Sequence, residues 1–300
     1  MMHISCSDYT FPLLPRAKRF AMLELLGFHL VDLGLFERST GLRPAQLAAD
    51  SKGFTRQLKS ELRHTRLRVS DVFLQVGLEP SIAAANDPNP RVRTRNRKMF
   101  LLALELCSAF DCAHLTGLPG VRHPHVPEAD DLALAHEVAA WRQHVAAGVG
   151  VKYAIEPHIG SICSDVASTR AFVESVPGLT LTLDYGHFVA AGTPCSEIHP
   201  LLQFASHLHA RGGAPGQLQA TVAENTIDFE GIVRYLRERK YRGCVAVEYV
   251  WTEWGQCNRV DNVSEAILLR QRLEDLIRKT RRQKRSGGGS VCLRSQASSQ

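Results

Sequence analysis

LTLDYGHFV, residues 181–189, is the stretch on which the reading of this chain turns. Apolar and hydroxyl side chains alternate as in a strand with one buried face. The run ends on Asp184, and His187 follows three residues later. Two readings of that ending are open. Either Asp184 caps the turn after the strand, or Asp184 and His187 form part of a metal site. Asp and His are both common after strands, so the surrounding segments have to decide.

Similar β-rich runs recur along the whole chain. HISCS lies at 3–7, FHLVDLG at 28–34, RVSDVFLQV at 68–76 and CAHLTGL at 112–118. KYAIEPH at 152–158, LTLTLDYG at 179–186, SHLHAR at 206–211 and CVAVEYV at 244–250 complete a set of eight. Helical patterns separate them, among them AKRFAMLELLG, TRQLKSELRHT, KMFLLALELCSAF, ALAHEVAAWRQHVAAG, STRAFVESV, SEIHPLLQFA and FEGIVRYLRERK, and a closing helix is expected from about 263 to 279. Eight strand–helix repeats with no break in composition predict an α/β fold, a single (β/α)8 TIM barrel over residues 1–278. The rival, a doubly wound open sheet, usually carries a glycine-rich phosphate turn. No GxGxxG or GxxxxGK[ST] occurs, and SGGGS at 286–290 falls in a polar tail.

In a parallel barrel, function collects where the strands end at their carboxyl termini. The last four strands each deliver an ionisable group there: Glu156, Asp184, His209 and Glu248. Three carboxylates crowded into a barrel mouth are costly unless something positive neutralises them. Mixed O/N donors suit Mn²⁺, Mg²⁺, Co²⁺ or Zn²⁺. Taken singly, each residue has an ordinary explanation as an ion-pair partner, a cap or a core histidine. Their recurrence on successive strands favours the metal site. His207 and His209 share one strand face; His209 lies nearer the mouth, and His207 reads as a layer residue or a partner behind it. His158, two residues after Glu156, is placed either beside a substrate or in solvent.

Composition narrows the partners. Hydrophobic residues make up 44% and charged residues 22% of the 300, an ordinary globular balance. No apolar run approaches the roughly 20 residues that span a bilayer, and MMHISCSDYTF does not resemble a secretory signal. The cytoplasm is the expected location. The eight cysteines contain no CxxC pair, which argues against a zinc ribbon. The net charge of +6 resides in residues 278–300, which hold seven of the 36 basic residues and no acid, leaving 29 against 30. The segment 279–300 is therefore expected to be a disordered basic tail on a nearly neutral body. RVRTRNRK, residues 91–98, reads as the solvated face of a helix.

IEPH (155–158), LDYGH (183–187), HLHARGGAPGQLQ (207–219), ENTIDFEGIV (224–233) and VAVEYVW (245–251) resemble the carboxyl half of xylose isomerase-like TIM-barrel proteins, the sugar phosphate isomerase/epimerase family. Its relatives include ketose 3-epimerases, hydroxypyruvate isomerase, inosose dehydratase and endonuclease IV. The resemblance covers roughly residues 150–270; the amino half matches only in rhythm. It implies that Glu156, Asp184, His209 and Glu248 hold the metal and that His187 contacts the substrate. It further implies that Glu156 and Glu248 work as an acid/base pair on a sugar or polyol, through an enediolate. The chain departs from several epimerases after the ligand histidine, with Ala210, Arg211 and Gly212 where an acidic residue follows in those proteins. Arg211 either binds a carboxylate or phosphate of an acidic or phosphorylated substrate, or forms a salt bridge to Glu156 or Glu248. Trp251 and Trp254 either stack on a sugar face or pack the last loop.

Three rivals stand beside the isomerase/epimerase reading. An endonuclease IV-like hydrolase needs further histidines from strands three and four, where only His114 is offered. The neutral body also lacks the basic face that binds phosphate backbones. An inosose dehydratase-like lyase would use the same metal and base, and a non-catalytic sugar-binding barrel would use neither. A homo-oligomer is open.

Overall fold

The structure, a computed structural model, describes residues 2–38 and 41–286, with side chains described up to residue 280. Strands and helices alternate from the start: β1 His3–Ser7, α1 Arg16–Leu25, β2 Leu30–Phe36, α2 Pro44–Ala49, α3 Ser51–Leu62, β3 Arg68–Gln75 and α4 Pro90–Ala109. Next come β4 His114–Gly117, α5 Glu128–Gly148, β5 Lys152–Ile155, α6 Val166–Ser175 and β6 Thr180–Asp184. Two short helices follow, α7 Tyr185–Ala190 and α8 Cys195–Ile198, then β7 Ala205–Ala210. The chain continues through a hairpin, β8 Gly212–Ala214 and β9 Gln217–Ala220, to α9 Phe229–Glu238, β10 Cys244–Val247 and α10 Asn262–Ser286.

Eight of these strands close into one barrel in the order β1-β10-β7-β6-β5-β4-β3-β2. All its pairings are parallel, and Cys6 of β1 closes the ring by facing Val247 on one side and Val31 on the other. This is the TIM barrel that the eight repeats predict. Its outward residues, such as Val31, Leu33, Leu35, Leu181, Leu183 and Val247, are fully buried under the helices. Phe20, Phe28, Phe100 and Phe188 fill the layer between. Burying such side chains stabilises by about 1.5–3 kcal/mol each.

Local chemistry fixes several element ends. Asp165 and Ser168 form a reciprocal capping box on α6, and Asp228 accepts from the Gly231 amide at 2.8 Å to start α9. Three differences from the sequence expectation have physical causes. SEIHPLLQFA forms α8 and then a 3-10 turn at His199–Phe204, since Pro200 limits regular helix there. The closing helix does not stop near 279 but runs to Ser286, because TRRQKRS contains helix formers and no glycine or proline. The rest of the expected basic tail, 287–300, lies outside the described residues. The hairpin β8–β9 is unexpected, being only three and four residues of GGA and QLQA.

No helix among the described residues is long and apolar enough to cross a membrane. The barrel depends on its outer face, so Leu183→Ala is expected to cost about 2–5 kcal/mol, read as a lower urea midpoint at unchanged slope.

Candidate active site

Register brings the rim residues together. In the β6–β7 pairing Asp184 lies directly opposite His209, and Ala210 of β7 pairs with Val247, just before Glu248. Glu156 follows β5 by one residue, its amide donating to the Gly117 carbonyl at 2.9 Å. The four predicted ligands thus reach one end of the barrel, and all are buried.

His209 is the centre of one group. Its Nδ1 lies 2.5 Å from Glu156 Oε1 and 3.2 Å from Glu248 Oε1. Glu156, Asp184 and His187 form a second group that shares Glu156; in each, the donor atoms lie within 4.8 Å of one another. Arg211 stands between the carboxylates. Its Nε donates to Asp184 Oδ2 at 3.0 Å, its Nη2 also contacts that oxygen, and Nη2 lies 2.8 Å from Glu248 Oε2. Of the two readings of Arg211, the salt bridge is therefore present, with Asp184 as well as Glu248.

Asp184 caps the helix that follows it, the first of its two readings. Oδ1 accepts from the Gly186 amide at 2.7 Å and caps α7, while Oδ2 faces the site. His187, on that short helix, sits with Nε2 3.7 Å from Asp184 Oδ2, beyond hydrogen-bond range. His158 is buried rather than exposed, with its ring 6.1 Å from that of His187.

The electrostatics follow from burial. Desolvation pushes the Glu156 carboxyl up to about 7, against the pull of His209 and with repulsion from Glu248 adding to it. Burial alone would lower His209, but Glu248 and Glu156 hold its proton up to about 10. Desolvation also opposes ionisation of Asp184, yet the Arg211 guanidinium keeps it below the ordinary carboxylate range. Burial drives His187 down to about 3 and lowers His158 as well.

Glu156, His158, His187, Arg211 and Glu248 line a cavity of about 480 Å³ that also takes in Trp251 and Trp254. Both indoles are about half exposed, and the ring of Trp254 lies 6.0 Å from that of His187. Sequence reasoning missed the opposite wall. Tyr9 donates its hydroxyl to Glu248 Oε1 at 2.7 Å, and it packs on Phe36, which packs on Phe73. Tyr9 lies in a 3-10 turn, Asp8–Thr10, just after β1, where strand alternation no longer marks which way it points. The tryptophan loop has its own anchor. Gln219 of β9 accepts from the Val250 amide at 2.7 Å and donates to the carbonyls of Val250 (2.9 Å) and Cys257 (2.8 Å).

The donor set fits a divalent cation. Glu156, His209 and Glu248 offer mixed O/N ligation, with Oε1 of both glutamates gathered within 3.2 Å of His209 Nδ1. Ionised, the three carboxylates exceed the one guanidinium by two negative charges, which a divalent ion would balance.

Residues 20–273 match the family profile described as Xylose isomerase-like TIM barrel. The chain belongs to that family. A comparison with curated proteins finds no match. Among solved structures, the chain is similar to an L-ribulose 3-epimerase at 15% identity and a TM-score of 0.72, covering 99% of this chain and 100% of that one. It is similar to a D-psicose 3-epimerase with D-tagatose from Clostridium cellulolyticum H10, at 15% identity and a TM-score of 0.71, over 92% and 99%. An AP endonuclease, family 2, from Brucella melitensis shows 19% identity and a TM-score of 0.68, over 88% and 96%. At such identities these likenesses concern the fold.

Two outcomes test the electrostatics. Arg211→Met leaves two buried carboxylates unneutralised and is expected to cost about 3–5 kcal/mol in urea unfolding without added metal. His187 is depressed to about 3 when folded, against about 6.5 when unfolded. Its contribution to stability is complete above the unfolded value and is lost as pH falls toward 3, because unfolding then takes up a proton. His187→Gln should therefore lose unfolding temperature less steeply than wild type between neutral and acidic pH.

Proposed function

We propose that the chain is a divalent-metal-dependent isomerase or epimerase of a sugar or polyol derivative. The observation that carries this reading is the pair Glu156 and Glu248, both buried, both lining one cavity and both within reach of the same imidazole. The two 3-epimerases among the structurally similar proteins support it.

Glu156, Asp184, His209 and Glu248 would hold the ion, which when bound supplies polarisation of the substrate carbonyl. One glutamate removes the proton from the adjacent carbon and the other returns a proton, on the opposite face for epimerisation or to the neighbouring carbon for isomerisation. The desolvation that lifts Glu156 toward neutrality suits a group that must both take and give a proton. Tyr9 orients Glu248 through its hydroxyl. His187, neutral because it is buried, and His158 both line the cavity and would contact substrate hydroxyls. Trp251 and Trp254 cover the opening and offer a face to the sugar.

Arg211 gives a finer expectation about the substrate. Its contacts with Asp184 and Glu248 use Nε and Nη2, so Nη1 takes part in neither, and the residue lines the cavity. That supports a substrate bearing a carboxylate or phosphate.

The test is solvent deuterium incorporation across ketoses, polyol ketones and acidic sugars, with Mn²⁺, Mg²⁺, Co²⁺ or Zn²⁺ added. Exchange at the carbon beside the carbonyl is expected, and Glu156→Gln and Glu248→Gln should each lower it about 10²–10⁴-fold. Exchange with no compound and no metal, or full exchange by Glu248→Gln, would overturn the assignment.

A further inference from the structure

Directly beneath the site, the barrel interior is polar. Asp32 on β2, Asp71 on β3, and His207 and His209 on β7 are at most 2% exposed, and each brings one donor atom within 4.8 Å of the others. TIM-barrel interiors are usually layers of branched apolar side chains. Two explanations suit such a cluster: a second cation, or a support for His209 from below.

Counting the hydrogen-bonding atoms decides between them. Asp32 accepts from the Ser70 hydroxyl at 2.5 Å through Oδ1 and faces His207 Nε2 at 2.6 Å through Oδ2. Asp71 uses Oδ1 for His114 Nδ1 at 2.6 Å, and the other nitrogen of His114 lies 2.8 Å from the Ser206 hydroxyl. Two buried atoms of the cluster are left without a partner, Asp71 Oδ2 and His209 Nε2. Both carboxylates are already held by histidines within the layer, Asp32 by His207 and Asp71 by His114, each at 2.6 Å, which favours the support over a second cation. Of the two unpartnered atoms, one is a carboxylate oxygen, which accepts, and the other a ring nitrogen, which donates in the tautomer whose Nδ1 lone pair faces the glutamates. His209 already turns Nδ1 toward Glu156 and Glu248, so Nε2 is the nitrogen left for the layer below.

We propose that Asp71 is a positioning residue for His209: its free carboxylate oxygen holds the Nε2 proton through one buried water. The imidazole is thereby fixed in the tautomer whose Nδ1 lone pair is presented between Glu156 and Glu248. A ligating histidine typically donates its other N–H in this way, and loss of the acceptor weakens metal binding. The inference rests on the proposed cation at Glu156, His209 and Glu248, and it assigns to β3 a part in that site.

The test is equilibrium dialysis of the metal-stripped full chain against Mn²⁺ alone. Wild type is expected to bind one ion, and Asp71→Asn to bind it about 10–100-fold more weakly. His114→Gln, which removes the other partner of Asp71, should keep the wild-type affinity. If Asp71→Asn matches wild type, or if both variants weaken equally, the positioning role is overturned while the metal reading stands. Two ions per wild-type chain would replace it with a second cation site. Wild type binding no ion would remove the metal reading itself, and this inference with it. A measurement on wild type guards against a variant that does not fold: in ¹⁵N-histidine spectra with Zn²⁺, His209 should be ligated through Nδ1 and stay protonated at Nε2. Ligation through Nε2 would overturn the proposal.

Discussion

Three carboxylates buried at one end of a closed barrel set the terms for everything around them. Glu156, Asp184 and Glu248 are each at most 5% exposed, and none can stay ionised there without compensation. Arg211 supplies one positive charge and touches two of the three. His209 stands against the third and reaches Glu248 as well. The rest of the mouth serves the same need: the Gly186 amide caps Asp184, and the Tyr9 hydroxyl steadies Glu248. These bonds hold the acids at fixed separations, and a site that moves protons between two faces of a carbon requires that fixity.

Much of this was legible in the sequence, for a reason rooted in barrel geometry. Parallel strands present their carboxyl ends to one rim, so an ionisable residue at the end of each of four successive strands converges without any contact being known. Asp184, His209 and Glu248 needed only their places toward the carboxyl ends of their strands to be found. What stayed hidden is the uncharged wall of the pocket, together with Asp32 and Asp71, which lie inside β2 and β3 rather than at their ends. Tyr9, Phe36 and Phe73 form a wall of the pocket, yet in sequence they look like any other aromatic core. The β8–β9 hairpin was illegible because GGA and QLQA are too short to show a period of two. Asp184 also concealed α7, since one residue both ends a strand and begins a helix.

The interior of the barrel departs from the usual packing. Asp32, Asp71, His114, Thr116, Thr182 and His207 occupy space that branched apolar residues commonly fill. Within this layer the pairs Asp32–His207 and Asp71–His114 hold 2.6 Å contacts, and Thr116 meets Thr182 at 2.6 Å. Burial of the carboxylate opposes ionisation of Asp32, but His207 outweighs it and keeps the acid down to about 2. A layer of this kind is high in stakes: satisfied it is rigid, and each lost partner leaves a buried polar atom exposed to the full cost of desolvation. The polar layer therefore couples the floor of the site to strands β2, β3 and β4, which contribute no group to the predicted ligand set.

Gln219 gives the lip of the pocket an asymmetric capacity to diverge. Its carboxamide grips the loop at both ends, at Val250 and Cys257, and leaves the residues between them outside the tether. Length added within that span changes the reach of Trp251 and Trp254 without touching the attachment. Length added within the hairpin shifts the attachment, and the loop must travel with it. Diversification of this mouth thus has one permissive direction and one restrictive direction, and a single amide side chain separates them.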